Sequence, residues 1–147
     1  MNAQLEAVAR QLDLQQNRLL RFAFALACAR RVEHLLEDPR AAEALKALQS
    51  FVARNCADPG IDEAREAIAG VARSHAGSRS LDGAAHAAVS ATNAVANALA
   101  GRALDAASYS AYAKVYAYGG YAVSDPSAFE EEFRWQVAEL QRLAGLK

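Results

Sequence analysis

Alanine supplies about a quarter of the 147 residues of this chain, and β-branched residues are few. Alanine has the highest helix propensity, because its side chain loses no rotamer entropy when the backbone becomes helical. No segment alternates apolar and polar residues in the way that a half-buried strand does. The sequence therefore predicts an all-α fold in which small side chains let the helices pack closely.

Helix breakers divide the chain into about seven helices. The predicted helices cover approximately residues 3–12, 13–37, 39 to the turn at 58–60, 62–75, 80–99, 105–118 and 126 onward. Helices three to six resemble two stacked hairpins, although their unequal lengths do not fit a fixed-period repeat. A chain of this size can bury roughly 70% of its unfolded surface, so we expect a single domain over residues 1–147.

Side chains that can accept hydrogen bonds from first-turn N–H groups mark the helix starts. The predicted caps are Asp13, Asp38, Ser80, Asp105 and Asp125. Gly101 and the pair Gly119-Gly120 are expected to end the fifth and sixth helices. The second helix is apolar on every side between Phe22 and Ala29, which is typical of a helix at the centre of a core.

The charge of the chain is nearly balanced, with 16 Lys+Arg against 17 Asp+Glu and a pI of about 6.3. Nucleic acid is therefore not an expected partner, because phosphate binding needs a concentrated positive field. The longest unbroken apolar run, residues 22–29, is much shorter than the roughly 20 residues of a membrane span. The N-terminus lacks the pattern of a signal peptide. We expect a cytoplasmic protein without a membrane partner, and the oligomeric state stays open.

The residue types that most often carry chemistry are sparse and poorly spaced. Cys28 and Cys56 lie within helical patterns and are expected as buried, unpaired thiols rather than as a disulfide. The histidines, His34, His75 and His86, lack the helical spacing of a metal motif, and His34 and His86 are expected as partly buried imidazoles bonded to a neighbour. The chain also lacks a nucleophile elbow and a phosphate-binding glycine loop. The sequence predicts no catalytic residue, no metal site and no cofactor.

The tyrosines form the most distinctive pattern, because all five fall within thirteen positions. Tyr109, Tyr112 and Tyr116 follow the i, i+3, i+7 spacing of one helix face, and Tyr118 and Tyr121 come just after them. Tyrosine is enriched at interface hot spots, yet an aromatic stripe at helical spacing more often packs into a core. Both interpretations stay open. The candidate partner-binding residues are Tyr109, Tyr112, Tyr116, Tyr118, Glu130 and Glu131.

The final helix is amphipathic and begins with three glutamates. Residues Glu130 to Glu132 complement the positive end of its dipole. Trp135 lies off the apolar stripe of this helix and is expected to be half covered. Arg31 and Arg134 have the pattern of ordinary residues on a charged helix face.

The second helix carries a resemblance to a known family. Residues 13–32, a polar helix start followed by an apolar helix with a central Cys28, and then Leu35-Leu36-Glu37, resemble the opening of the fifth numbered immunity family of bacterial polymorphic toxin systems. Further similar segments are the proline-led helix at 39–45 and the small-residue segments 86–100 and 107–113, so that the resemblance covers about residues 13–140. The run Tyr116–Tyr121 departs from the family pattern, and no functional residue is carried over from it.

The resemblance implies an all-α cytoplasmic immunity protein that binds a cognate toxin and occludes its active site or substrate entrance. Two other functions stay open. The first is a helical scaffold or adaptor with a different partner. The second is a small-molecule-binding or enzymatic bundle, whose polar groups would have to converge around the histidines.

Overall fold

The computed structural model describes residues 2–74 and 83–145, without the side chains at 84, 85, 120 and 121. In these residues the chain forms seven α-helices and no strand, which confirms the predicted all-α fold. The helices are α1 (Ala3–Gln11), α2 (Arg18–Arg30), α3 (Pro39–Ala53), α4 (Ile61–Ser74), α5 (Gly83–Leu99), α6 (Ala103–Tyr118) and α7 (Glu130–Leu143). Short 3₁₀ segments occupy Leu14–Gln16, Glu33–Leu35, Gly120–Ser124 and Pro126–Phe129.

The predicted start of α3 is confirmed. Asp38 has an extended backbone, its side chain accepts a hydrogen bond from the N–H of Arg40, and Pro39 occupies the first turn. Proline suits this position, because a first-turn N–H would have no partner within the helix. The final helix is different, because Asp125 caps the 3₁₀ segment Pro126–Phe129, and α7 follows directly from that segment.

The predicted second helix over residues 13–37 is wrong at both ends. Asp13 has a left-handed backbone with φ 52° and makes no capping bond with its side chain. The cap of α2 is Asn17, whose side chain accepts a hydrogen bond from the N–H of Leu20 at 3.1 Å. Asp and Asn are equally good caps, so composition did not show which of the two begins the helix.

The predicted start of the sixth helix at Asp105 is also wrong. This helix begins at Ala103, so Asp105 lies within its first turn, and Arg102 precedes it without a side-chain cap. The carboxylate of Asp105 is still placed favourably, because the N-terminal end of a helix carries partial positive charge. The predicted cap Ser80 and the residue His75 lie outside the described residues.

The helices share one hydrophobic core that draws buried residues from all seven of them. Helix α2 is central, as predicted, with Phe24, Ala25 and Cys28 all at 0% exposure. Helix α5 packs along α6 and also contacts α2, α3 and α4, while α3 packs on α4. The seam between α5 and α6 is built from buried alanines such as Ala91, which let two backbones approach closely. No helix among the described residues is both long enough and apolar enough to cross a membrane.

Gly101 is required at the end of α5, where its φ is +76°. A Cβ there would also lie 3.1 Å from the Cζ of Phe22. We expect Gly101→Ala to lower the free energy of unfolding by about 1–2 kcal/mol, because a left-handed backbone is strained in any residue with a Cβ. Urea unfolding measures the change.

Gly70→Ala is the matched control for this substitution. Gly70 lies within α4, and the nearest atom to its Cβ would be the Arg73 guanidinium at 3.9 Å. Alanine should raise stability there by about 0.5–1 kcal/mol, because it loses less backbone entropy than glycine. A Gly101→Ala variant as stable as the original chain would contradict the left-handed turn.

Candidate functional site

Helix α6 has one face of small residues and one face that carries Tyr109, Tyr112 and Tyr116, while Tyr118 is its last residue. Its buried residues are Ala103, Ala106, Ala107, Ser110, Ala111, Ala113 and Val115. Tyr109, Tyr112 and Tyr118 are instead 39%, 42% and 79% exposed. For these three residues the structure therefore excludes inward packing, while Tyr116 is half-buried.

Five rings from four elements form a continuous row, called here the aromatic row: His86, Tyr116, Tyr112, Phe129 and Phe133. His86 of α5 stacks on Tyr116 with a centroid distance of 5.0 Å, and Tyr116 lies 6.3 Å from Tyr112. The edge contact between Tyr112 and Phe129 is 5.3 Å, and Phe133 follows at 5.5 Å. Such pairs contribute about 0.5–1.5 kcal/mol each beyond area burial. The contacts restrain Tyr112 even though much of its surface faces solvent.

A small cleft of about 240 Å³ opens beside the aromatic row. Its lining residues are Ser108, Ala111, Tyr112, Val123, Pro126, Phe129 and Phe133. The lining is almost entirely apolar and aromatic. The volume is below the usual range of about 300–1,000 Å³ for small-molecule sites, and it suits one inserted apolar side chain.

Residues 119–129, called here the connecting segment, link α6 to α7. A larger and more polar cleft of about 630 Å³ lies on the other side of this segment. We call it the polar cleft. Its lining residues are Arg31, Lys114, Val115, Tyr118, Ala122, Asp125, Ser127, Ala128, Glu131 and Glu132. Two of the predicted partner-binding residues, Tyr118 and Glu131, are therefore part of its wall.

An ion pair joins Arg31, the residue that follows α2, to helix α7 at the wall of the polar cleft. The Nε of Arg31 donates to both carboxylate oxygens of Glu132, at 2.6 and 3.0 Å. Glu132 is only 6% exposed, and the Arg31 guanidinium also lies 4.5 Å from the ring centroid of Trp135. The prediction that Arg31 is an ordinary charged-face residue is wrong. Trp135 lies one turn after Glu132 and is half-buried, as expected. It was the only nearby feature of the sequence that indicated this site.

Buried hydrogen bonds hold α6 against its neighbours below the tyrosines. The Oγ of Ser110 donates to the carbonyl of Cys28 at 2.6 Å, and the Nε2 of Gln136 donates to the carbonyl of Ala107 at 2.8 Å. Both polar side chains are about 1% exposed. A buried polar group that loses its partner costs about 1–3 kcal/mol, so these bonds also specify how α6 is oriented.

The two cysteines are unpaired, as expected, and Cys28 is buried. The expectation of a buried, helical Cys56 is wrong, because this residue follows the end of α3 with φ 63° and is only half-buried. Burial raises the pKa of the Cys28 thiol well above its usual value, and the carboxylates of Glu132 and Glu139 raise it further. Burial also raises the pKa of Cys56, in spite of the nearby Arg18. Since the thiolate is the reactive form of cysteine, both environments make the thiols poor nucleophiles at neutral pH.

The remaining predicted residues are Tyr109, Glu130 and His34. Tyr109 lies one turn before Tyr112 on α6, and Glu130 is exposed next to Glu131 at the start of α7. The expectation of a partly buried His34 is wrong, because this side chain is exposed in a 3₁₀ segment. Among the described residues, no group of three histidine, cysteine or carboxylate side chains could hold a metal ion.

Comparison of the chain with protein-family models, with curated proteins and with solved structures yields no match.

Proposed function

We propose that this chain is an immunity protein that binds a cognate bacterial toxin and neutralises it by occluding the active site or substrate entrance. The toxin as partner comes from the family resemblance of residues 13–140. The observation that carries the proposal is the exposure of three tyrosines on α6: Tyr112 within the aromatic row, Tyr109 one turn before it, and Tyr118 at the wall of the polar cleft.

The physical properties of this surface suit tight protein binding. Tyrosine offers a large rigid area plus a hydroxyl group, and a few such residues often dominate the affinity of an interface. The ring contacts of Tyr112 reduce the rotamer entropy that binding has to remove, because the side chain is already restrained. The two clefts, on either side of the connecting segment, can each receive a protruding side chain of the partner.

The test is the triple variant Tyr109→Ala, Tyr112→Ala and Tyr118→Ala. We expect its affinity for the product of the neighbouring gene to fall by about 100-fold or more, because hot-spot residues contribute about 1–2 kcal/mol or more each. Isothermal titration calorimetry measures this affinity, and growth on co-expression measures protection. The circular dichroism should stay helical, because the small-residue face of α6 is unchanged.

Leu19→Ala is the matched control. Leu19 is 45% exposed and lines neither cleft, so its truncation removes an exposed apolar side chain at another place. We expect less than about a threefold change in affinity, as for most surface positions outside a hot spot. Unchanged binding by the folded triple variant would contradict the proposed surface. Tight binding without protection of the cell would favour the scaffold or adaptor function.

A further inference from the structure

We propose that the partner surface that covers the aromatic row is basic, and that one of its arginine or lysine side chains enters the polar cleft. This inference rests on the function proposed above and specifies the chemistry of the partner. The aromatic row and the clefts define where a partner docks, and the charges around them define what kind of partner it is.

The charge of the chain is unevenly distributed along the sequence, although its total is only −1. Residues 103–133 contain five carboxylates but a single basic residue, Lys114, which gives this stretch a net charge of −4. All other residues together therefore carry +3. The carboxylates are Asp105, Asp125, Glu130, Glu131 and Glu132. Tyr109, Tyr112 and Tyr118 thus lie in an acidic stretch of the sequence, which Arg102 and Arg134 flank directly.

Most of this negative charge is not neutralised internally. Glu132 is paired with Arg31, but none of the other four carboxylates forms an ion pair with a described residue. Asp125 accepts hydrogen bonds from the backbone N–H and the Oγ of Ser127, which leaves its charge in place. The C-terminal end of α6 reaches the cleft at Tyr118, and the carbonyls of a last helical turn add partial negative charge.

The polar cleft combines the groups that recognise a guanidinium or ammonium group. The Tyr118 side chain, which is 79% exposed, and the Glu131 carboxylate belong to the same lining. A cation bound over an aromatic face contributes about 0.5–2 kcal/mol, and a charge-assisted hydrogen bond to a carboxylate adds to this. Lys114 and Arg31 also line the cleft, but its lining carries three carboxylates and therefore stays at a net charge of −1.

The protein itself contains one example of this kind of recognition. The Arg31 guanidinium is held between the Glu132 carboxylate and the Trp135 ring, directly at the cleft. An arginine of the partner would meet the same pair of groups, an acid and an aromatic ring, at Glu131 and Tyr118. Arginine is the better of the two candidate cations, because its planar group both stacks and binds carboxylates in a bidentate manner.

The experiment compares two double variants that change the net charge equally. The test variant is Glu130→Lys with Glu131→Lys, and the control variant is Glu63→Lys with Glu66→Lys on α4. Glu63, like Glu130 and Glu131, lies in the first turn of its helix. Replacing it by lysine therefore removes a similar favourable interaction with the helix dipole. All four glutamates are exposed and form no ion pair with a described residue.

Stopped-flow association with the purified product of the neighbouring gene gives the rate constant kon. At low salt we expect the test variant to lower kon by about tenfold or more, because opposite charges steer association, and the control variant by less than about threefold. For the original chain, kon should fall steeply between about 0.01 M and 1 M salt, where the Debye length shrinks from about 30 Å to 3 Å.

The outcomes separate this inference from the proposed function. Tight binding with a kon that depends neither on salt nor on the charge of residues 130 and 131 would overturn the basic partner surface and leave the immunity function intact. An equal decrease of kon in the two variants would also overturn the basic partner surface, since kon would then depend only on the total charge of the protein. If the purified product does not bind at all, both proposals are wrong.

Discussion

Replacing Phe51 by alanine is expected to lower the free energy of unfolding by about 3–5 kcal/mol, the usual cost of truncating a buried phenylalanine. Phe51 lies near the end of α3 and is 1% exposed. Its ring meets that of Phe22 edge-on at 5.0 Å, and the Arg18 guanidinium lies 5.6 Å from its centroid. Truncation therefore removes an aromatic pair and a cation–π contact, and it also leaves a cavity between α2 and α3.

Urea unfolding followed by circular dichroism measures this change. Phe51→Leu retains much of the apolar volume and should cost only about 1–1.5 kcal/mol. Val52→Ala is the control at the neighbouring position, where the side chain is half-buried, and it should cost less than about 1 kcal/mol. If Phe51→Ala cost no more than Val52→Ala, the end of α3 would not belong to the core.

Replacing Arg31 by alanine is expected to lower the free energy of unfolding by about 2 kcal/mol. Removal of one partner leaves the Glu132 carboxylate buried without its counter-charge, which costs about 3–5 kcal/mol for a fully buried pair. The Arg31 side chain is 32% exposed, so water screens part of the interaction and the expected cost is smaller. The lost contact with Trp135 contributes to the same change.

A double-mutant cycle with Glu132→Gln isolates the charge effect. Glutamine is nearly isosteric with glutamate, so the variant Arg31→Ala with Glu132→Gln no longer buries an unpaired carboxylate. We expect it to be about 1 kcal/mol more stable than Arg31→Ala alone, since contacting residues couple by about 0.5–3 kcal/mol. Strict additivity of the two single changes would show that the pair contributes nothing to stability.

Local signals predicted much of this fold, whereas pairings between distant residues were not predictable. The apolar run from Phe22 to Ala29 identified the central helix, because only a core position hides every side of a helix. The Arg31–Glu132 pair joins residues 101 positions apart, and each looks like an ordinary surface charge in its own helix. The start of α2 was missed because Asp13 and Asn17 compete for the same capping role.

The candidate site could be located from the sequence only in part. The spacing of Tyr109, Tyr112 and Tyr116 shows that they share a helix face, but spacing alone does not say whether that face is inside. The burial of small residues such as Ala107 and Ala111 shows that the tyrosine face points outward, because these small residues occupy the core side of α6. The contribution of Phe129 and the polar cleft required tertiary structure, since the connecting segment folds back onto α6.

The alanine seam between α5 and α6 has a consequence for how this protein can evolve. Because the seam is built mainly from buried alanines, the position of the α6 backbone depends little on Tyr109 and Tyr118, which are exposed. Tyr112 and Tyr116 do contribute to packing, through their ring contacts with Phe129 and His86. Substitutions at Tyr109 and Tyr118 are therefore expected to change the proposed recognition surface with little effect on folding. Under the proposed immunity function, a lineage of such proteins can follow a changing toxin by exchanging exposed rings and charges, while the buried residues of α6 are retained.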